Sequence, residues 1–213
     1  MSVIAIDGPA ASGKSSVSRR LAKRLGFAYV NSGSMYRAVT WELLRQGVDT
    51  TSPEDVADAL SSSEIACGIG DDGDSFMRIN GRVTDEALRD SSVNLHVSLV
   101  SALPVVRDLV SARLRALAGD RDVVMEGRDI GSAVFPETPF KFYLDALPEI
   151  RCRRRAAEGQ SDEIEARDKM DSSRKAAPLM VAGDARVLDT SHLTLDGVVE
   201  AILDILRPLG ITP

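Results

Sequence analysis

The sequence predicts an α/β fold in which helices flank a five-stranded parallel sheet. Short β-branched segments alternate with amphipathic helical segments along most of the chain. Most polar clusters directly follow a predicted strand, and 213 residues are enough for one full α/β domain. Because ligands bind outside the carboxyl ends of parallel strands, we expect the functional residues to lie at that edge of the sheet.

Residues 3–16 combine a buried strand, a glycine-rich turn and the start of a helix. The turn matches the pattern G-x-x-x-x-G-K-[ST] without a mismatch, and its predicted phosphate-binding residues are Gly8, Pro9, Ala10, Ala11, Ser12, Gly13, Lys14, Ser15 and Ser16. Backbone N–H groups of such a turn point at an anion, and the helix N-terminus adds a positive dipole end. The segment therefore predicts a site for a nucleoside triphosphate in which Lys14 reaches the β- and γ-phosphates and Ser15 ligates Mg²⁺.

The other predicted elements follow in chain order, with turn and cap residues at their ends. We expect strands near residues 27–30, 123–125, 140–144 and 185–188, and helices from Asn31 or Ser32 to Gly47, from Pro53, over 92–118 with a new start at Pro104, and over 195–206. Three short runs at 65–67, 76–79 and 82–84 predict a small antiparallel insertion, because Asn80-Gly81 is a strong hairpin turn.

Composition limits the partners that we expect. The net charge of −6 and an aromatic content of 4% argue against a nucleic-acid binder. No leader segment or long apolar run is recognisable, so we expect a cytoplasmic protein without a membrane partner. Cys67 and Cys152 suggest no disulfide framework, and a monomer is the default expectation.

Arginines predict a second anion site beside the first. Arg37 and Arg128 each follow a predicted strand and a glycine, and a guanidinium binds phosphate through two parallel hydrogen bonds. Arg167, Asp171 and Arg174 are spaced to share one helix face, where the arginines would cover a transferring phosphoryl group. Surface salt bridges and a solvated, ion-paired helix face are the alternative interpretations.

A further basic cluster allows two interpretations with equal weight. Arg151, Arg154 and Arg155 either belong to a mobile lid or form a basic helix face.

Five separated motifs, in the same order, resemble the bacterial cytidylate kinases of the nucleoside monophosphate kinase superfamily. The resemblance covers nearly the whole chain and rests on Ile6-Asp7-Gly8-Pro9 with the loop after it, Ser32-Gly33-x-x-Tyr36-Arg37, Ser98 with Pro104-x-Val106-Arg107, Gly127-Arg128-Asp129-Ile130-Gly131, and Arg167-Asp168-x-x-Asp171-x-x-Arg174 with Ala177-Pro178-Leu179. The resemblance implies a core (1–34, 92–150 and 176–213), a nucleotide-binding insertion (35–91) and a short lid (151–175).

The same resemblance implies roles for individual residues. Ser98, Arg107 and Asp129 would read cytosine, Asp171 with Arg167 would contact the sugar, and the acceptor phosphate would lie near Ser32, Tyr36, Arg37, Arg128 and Arg174. Lys14, Arg128, Arg167 and Arg174 would be the catalytic cations. A carboxylate accepts a hydrogen bond from the cytosine amine and repels the uracil carbonyl, which agrees with the role of Asp129.

Two departures from the family pattern affect these roles. Asn31 stands where many relatives have an aspartate, and the lid is shorter than in the longer members. The short lid puts the roles of Arg151, Arg154 and Arg155 in doubt.

The predicted activity is ATP-dependent phosphorylation of CMP and dCMP to the diphosphates, with Mg²⁺. One alternative is another small P-loop kinase that acts on UMP, AMP or a non-nucleotide such as shikimate. A nucleotide-binding regulatory ATPase is a weaker alternative, because no N-K-x-D element follows the loop.

Overall fold

A computed structural model describes residues 1–82, 88, 90–119, 121–157, 164–174 and 176–213, without the side chains of Ile164, Glu165 and Arg167. Its strands and helices alternate as the sequence predicts. In chain order they are β1 (Val3–Asp7), α1 (Lys14–Leu25), β2 (Ala28–Asn31), α2 (Ser32–Arg45), α3 (Pro53–Ser61), β3 (Ile65–Ile69), β4 (Ser75–Ile79), α4 (Ser91–Val100), α5 (Pro104–Leu117), β5 (Val123–Gly127), a π-helical turn (Ile130–Val134), β6 (Phe140–Asp145), α6 (Pro148–Ala157), α7 (Ile164–Ser172), β7 (Arg186–Asp189), α8 (Leu195–Leu206) and a 3₁₀ turn (Arg207–Leu209).

The central sheet has the strand order β2-β5-β1-β6-β7, and the predicted fold class is confirmed. β1 lies between β5 and β6 and is parallel to both, with Ile4 opposite Val124 and Phe140. Burial of β-branched and aliphatic side chains drives the strands together, and Ile4 and Ile6 are fully buried against α1 and α8. This position puts the end of β1, and the loop after it, in the middle of the sheet.

Local signals place the helix ends where the sequence predicts them. The Asn31 side chain caps α2 by accepting a hydrogen bond from the Ser34 N–H at 3.0 Å. Pro53 and Pro104 stand in the first turns of α3 and α5, where their missing N–H groups leave no hydrogen bond unmade. Gly26 ends α1 in the left-handed conformation, with φ 68°.

The antiparallel insertion consists of two paired strands, β3 and β4. Asn80 and Gly81 both have positive φ angles, 53° and 73°, as a type I′ turn requires. The turn brings Arg82 back to Ile79 in an isolated bridge. Residues 83 and 84 of the third predicted run lie outside the described residues.

The chain separates into two compact units, Met1–Val30 with Asp120–Pro213 and Asn31–Gly119. We call the first the P-loop unit and the other the second unit. Helices α4 and α5 belong to the second unit. The finer division into core, insertion and lid stays a prediction.

The described helices give one finding about membranes. None is long and apolar enough to span a bilayer by itself, and only α4 and α5 together, bent by 97° at their junction, reach that length and composition.

Candidate active site

The loop between β1 and α1 has the tight course that a phosphate-binding loop needs. A Cβ on Gly8 would lie 2.1 Å from the Leu144 carbonyl oxygen, so only glycine fits there. Gly13, with φ 90°, turns the chain into α1. The Lys14 ammonium folds back and donates to the Pro9 carbonyl at 2.9 Å. The predicted nine-residue segment therefore forms a closed loop at the N-terminus of a helix.

A buried carboxylate lies beside the predicted magnesium ligand. Ser15 Oγ donates to Glu126 Oε2 at 2.9 Å, and the Tyr29 hydroxyl donates to Glu126 Oε1 at 2.6 Å. Sequence reasoning did not assign Glu126, although an acidic residue at the end of a buried strand was the available signal. Hydroxyl and carboxylate oxygens are the ligands that Mg²⁺ prefers, so Ser15 and Glu126 fit a magnesium ion bound with ATP phosphates.

Among the residues that the structure describes, no three His, Cys, Asp or Glu side chains converge as a metal centre.

Two of the predicted phosphate-binding arginines share one carboxylate. Arg128 Nε donates to Asp171 Oδ2 at 2.9 Å, and Arg174 donates to the other oxygen of the same side chain. Arg128 also donates to the Gly8 carbonyl at 3.0 Å. Asp171 is only 2% exposed, so the pairing places two cations beside the loop on a buried anion.

The prediction that Arg167, Asp171 and Arg174 share one helix face is wrong for Arg174. α7 ends at Ser172, so Arg174 lies beyond the helix and reaches Asp171 from the turn that follows. Pro178 disfavours a helical conformation for the residue before it, and the chain turns back so that the Leu179 N–H binds the Asp171 carbonyl at 2.9 Å. The side chain of Arg167 lies outside the described residues.

The predicted base reader Asp129 stands at the start of the π-helical turn and is 3% exposed. The two residues after it are held by Asp7, whose carboxylate accepts from the N–H groups of Ile130 and Gly131, each at 2.8 Å. The pKa of Asp7 is raised to about 7, mainly by burial and in smaller part by the neighbouring Asp129, while the two N–H groups and Lys14 oppose the rise. Asp7 is a second residue that sequence reasoning missed.

Two arginines of the predicted lid contact the backbone of the P-loop unit. Arg151 donates to the Ala10 carbonyl at 3.1 Å and pairs with Asp168, which itself accepts from the Ala10 N–H at 3.0 Å. Arg154 donates to the Thr190 carbonyl at 2.6 Å, and the Thr190 hydroxyl donates to the Ser12 carbonyl at 2.8 Å. These contacts attach α6 and α7 to the phosphate loop.

The second unit holds the remaining predicted residues on helices that pack together. α2 packs against α4 and α5, and these helices carry Ser32, Tyr36, Arg37, Ser98 and Arg107. Arg107 is 6% exposed, donates to the Ser101 carbonyl at 3.2 Å and lies over the Tyr36 ring at 5.6 Å. Arg37 donates to the Leu88 carbonyl at 2.8 Å. Tyr36 and Arg107 are thus brought together although they are far apart in sequence.

A glycine-rich loop between a buried strand and a helix, with Arg128 anchored at its first glycine, defines the chain as a P-loop kinase. The family is then shown by comparison with known proteins. The cytidylate kinase family model matches residues 4–208, and the chain belongs to the cytidylate kinase family.

Two curated relatives agree with this assignment. The chain is 42% identical over 213 residues to the cytidylate kinase of Rhodococcus jostii, covering 94% of this chain and 93% of that protein. It is 41% identical over 217 residues to the bifunctional pantoate ligase/cytidylate kinase of a Synechococcus strain, covering 96% of this chain but 44% of that protein. The shikimate kinase of Acinetobacter baumannii superimposes with a TM-score of 0.48 at 14% identity, covering 100% of this chain and 96% of that one.

Proposed function

We propose that this protein transfers the γ-phosphoryl group of ATP to CMP and dCMP and releases ADP and the nucleoside diphosphate. The observation that carries the proposal is the pairing of Arg128 and Arg174 on buried Asp171, with Arg128 anchored to the phosphate loop at Gly8. Two cations held in this way can neutralise the negative charge of a phosphoryl group that is transferred next to the loop.

Phosphoryl transfer to a nucleoside monophosphate needs alignment and charge neutralisation rather than a general base. The acceptor phosphate is already an oxyanion, so it attacks when it is held in line with the γ-phosphate. Lys14 and the loop N–H groups hold the donor phosphates, and Arg128 and Arg174 neutralise charge on the group in transfer. Asp171 keeps both guanidinium groups oriented before the substrates bind.

Magnesium, when bound with ATP, would neutralise phosphate charge and fix the geometry of the β- and γ-oxygens. Ser15 is its proposed protein ligand. Glu126 accepts the Ser15 hydroxyl hydrogen at 2.9 Å, which turns the oxygen lone pairs of Ser15 away from the carboxylate.

Base selection is proposed to depend on Asp129, Ser98 and Arg107. An aspartate accepts a hydrogen bond from the exocyclic amine of cytosine, whereas uracil presents an acceptor at the same place. A site that leaves a buried polar group unpaired rejects the wrong base strongly. Ser32, Tyr36 and Arg37 are proposed to bind the acceptor phosphate, and Arg167 with Asp171 the sugar. The monomeric state and the cytoplasmic location stay predictions.

A coupled assay of ADP release tests the proposal across CMP, dCMP, UMP and AMP. We expect kcat/KM for CMP to exceed that for UMP by about 100-fold or more, as hydrogen-bonded sites discriminate. The Lys14→Met variant, prepared in the same way, controls for contaminating kinases. A higher kcat/KM for UMP or AMP would contradict the proposal, and ATP hydrolysis without any dependence on an acceptor would indicate a regulatory ATPase.

A further inference from the structure

Asp7 is a buried carboxylate that the proposed mechanism does not use. It is the last residue of β1, next to Gly8 of the phosphate loop, and it is 5% exposed. Both of its oxygens are occupied, since Oδ1 accepts from the Ile130 N–H and Oδ2 from the Gly131 N–H, each at 2.8 Å. Asp7 therefore holds protein backbone and is not itself placed to read a substrate.

The two N–H groups that Asp7 holds open the π-helical turn Ile130–Val134. Donors in the first turn of a helix have no partner within the helix, and this turn has no side-chain cap of its own. Asp7 supplies the cap from a strand more than a hundred residues earlier in the chain. Its carboxylate thereby determines where the turn begins.

The turn is also closely packed at residue 131. A Cβ there would lie 3.1 Å from two side-chain carbons of Lys141 and 3.4 Å from Asp7 Oδ2. A larger residue would therefore crowd the Lys141 side chain. The close fit leaves the turn little freedom to shift relative to β1.

Asp129 lies directly before the two residues held by Asp7. Its carbonyl accepts from the N–H groups of Ala133 at 2.9 Å and Val134 at 3.2 Å. One residue earlier, Arg128 is anchored to Gly8, the neighbour of Asp7. Asp7 thus fixes the backbone directly after Asp129, and the pairing of Asp7 with Gly127 in the sheet fixes the backbone before it, so the direction of the Asp129 carboxylate depends on Asp7.

We propose that Asp7 is a positioning residue for base selection, which aligns the Asp129 carboxylate by holding the Ile130 and Gly131 N–H groups. The inference rests on the proposed role of Asp129 in reading cytosine. Since Asp7 ends the strand that leads into the phosphate loop, one side chain connects the segment that binds the donor with the residue that selects the acceptor.

The Asp7→Asn variant tests this inference with little change in side-chain volume. An amide oxygen can accept from one N–H, but the amide NH₂ opposes the other, so the turn loses one hydrogen bond and gains a repulsive contact. We expect the ratio of kcat/KM for CMP to kcat/KM for UMP to fall about ten-fold, the effect of a buried donor losing its partner. The Kd for ATP, measured by direct titration without acceptor, should change less than about two-fold, since the loop N–H groups that bind ATP are not those that Asp7 holds.

Two control variants separate positioning from general destabilisation. Ser191→Ala removes a buried hydroxyl that accepts from the Leu147 N–H at 2.8 Å, and it should lower the melting temperature without changing the CMP to UMP ratio. Asp129→Asn should lower that ratio at least as much as Asp7→Asn. The double variant should show no further loss, because the two residues act on the same contact.

The outcomes distinguish the inference from the function on which it rests. If Asp129→Asn lowers the ratio and Asp7→Asn does not, the positioning role is wrong while the base reader stands. An equal fall in ATP affinity and in the ratio would place the effect of Asp7 on the loop and overturn the inference. An unchanged ratio in Asp129→Asn would contradict both.

Discussion

Asp7 in the P-loop unit and Glu42 in the second unit are both buried carboxylates, and they are held in opposite ways. Asp7 in the P-loop unit accepts two backbone N–H groups, and burial raises its pKa to about 7. Glu42 in the second unit is 1% exposed and accepts from Arg45, Gln46 and Asn80, and the Arg45 guanidinium lowers its pKa to about 2. Glu42 is paired with an arginine and stabilises the contact of α2 with the hairpin turn, whereas Asp7 accepts from backbone N–H groups and holds the π-helical turn.

The arginines of the two units also differ in the groups that hold them. Arg128 and Arg174 are oriented by Asp171, and Arg128 also by the Gly8 carbonyl, which lies 120 residues away in sequence. Arg107 is held by the carbonyl of Ser101, six residues away, and by the ring of Tyr36. Under the proposed function, a shared buried carboxylate orients the arginines that neutralise charge in the P-loop unit, whereas a carbonyl and an aromatic ring hold the proposed base reader Arg107 in the second unit.

Removing either arginine of the P-loop unit should have the largest effect. Arg128→Ala and Arg174→Ala should each lower kcat by about 10³-fold or more, the effect of an arginine that stabilises a transferring phosphoryl group. The exposed Arg153→Ala on α6 is the matched control and should keep normal turnover. Steady-state kinetics with CMP measure the effect, and near-normal turnover in either variant would remove that arginine from the mechanism.

Removing the arginine of the second unit should act on the acceptor base. Arg107→Met keeps the apolar stem but deletes the donors, so the ratio of kcat/KM for CMP to that for UMP should fall about ten-fold. Arg115→Met, at an exposed position of the same helix, is the control. An unchanged ratio with an unchanged KM for CMP would show that Arg107 only packs against Tyr36.

The paired carboxylate of the second unit should contribute more to stability than to activity. Glu42→Gln leaves Arg45 without its anion and should lower the free energy of unfolding at neutral pH by about 2 kcal/mol. Since the folded pKa lies near 2 and the ordinary value is 4.5, this stabilisation is present above pH 4.5 and is lost as the pH falls towards 2.

Denaturant unfolding at several pH values measures this loss. The exposed Glu54→Gln in α3 is the control and should show little change. A constant difference between wild type and Glu42→Gln down to pH 2 would contradict the ion pair's role.

Asp7 should affect stability with the opposite dependence on pH, and this is the smallest of the expected effects. The pKa of Asp7 in the folded protein is about 7, above the ordinary value of 3.8, so protonation of Asp7 stabilises the folded state. This stabilisation is fully present below pH 3.8 and is lost as the pH rises through 7. Relative to Asp7→Asn, the wild type should therefore gain stability as the pH is lowered from 7 towards 4. Melting curves of both proteins, with the exposed Asp108→Asn as control, should show the trend. A gain in the stability of the wild type over Asp7→Asn as the pH rises would contradict a raised pKa of Asp7.

Sequence reasoning was most successful where the relevant contacts are local. The loop pattern after β1, the Asn31 cap, the start of α5 at Pro104 and the Asn80-Gly81 turn all depend on neighbours within a few residues. It placed Arg174 wrongly on a helix face, because helical spacing does not report where a helix ends. The π-helical turn after Asp129 was not predicted, since its start is fixed by Asp7 from another strand.

The sequence by itself determined the α/β fold class, the phosphate loop and the motifs that place the chain in the cytidylate kinase family, because these depend on residue type and spacing. Only the tertiary structure decided which distant polar groups meet: Asp171 with Arg128, Glu126 with Ser15, and Asp7 with the turn beyond Asp129. Each pair joins residues from different elements. Their contact depends on how the strands align and how the chain turns between them, which the spacing of residues along the chain does not specify.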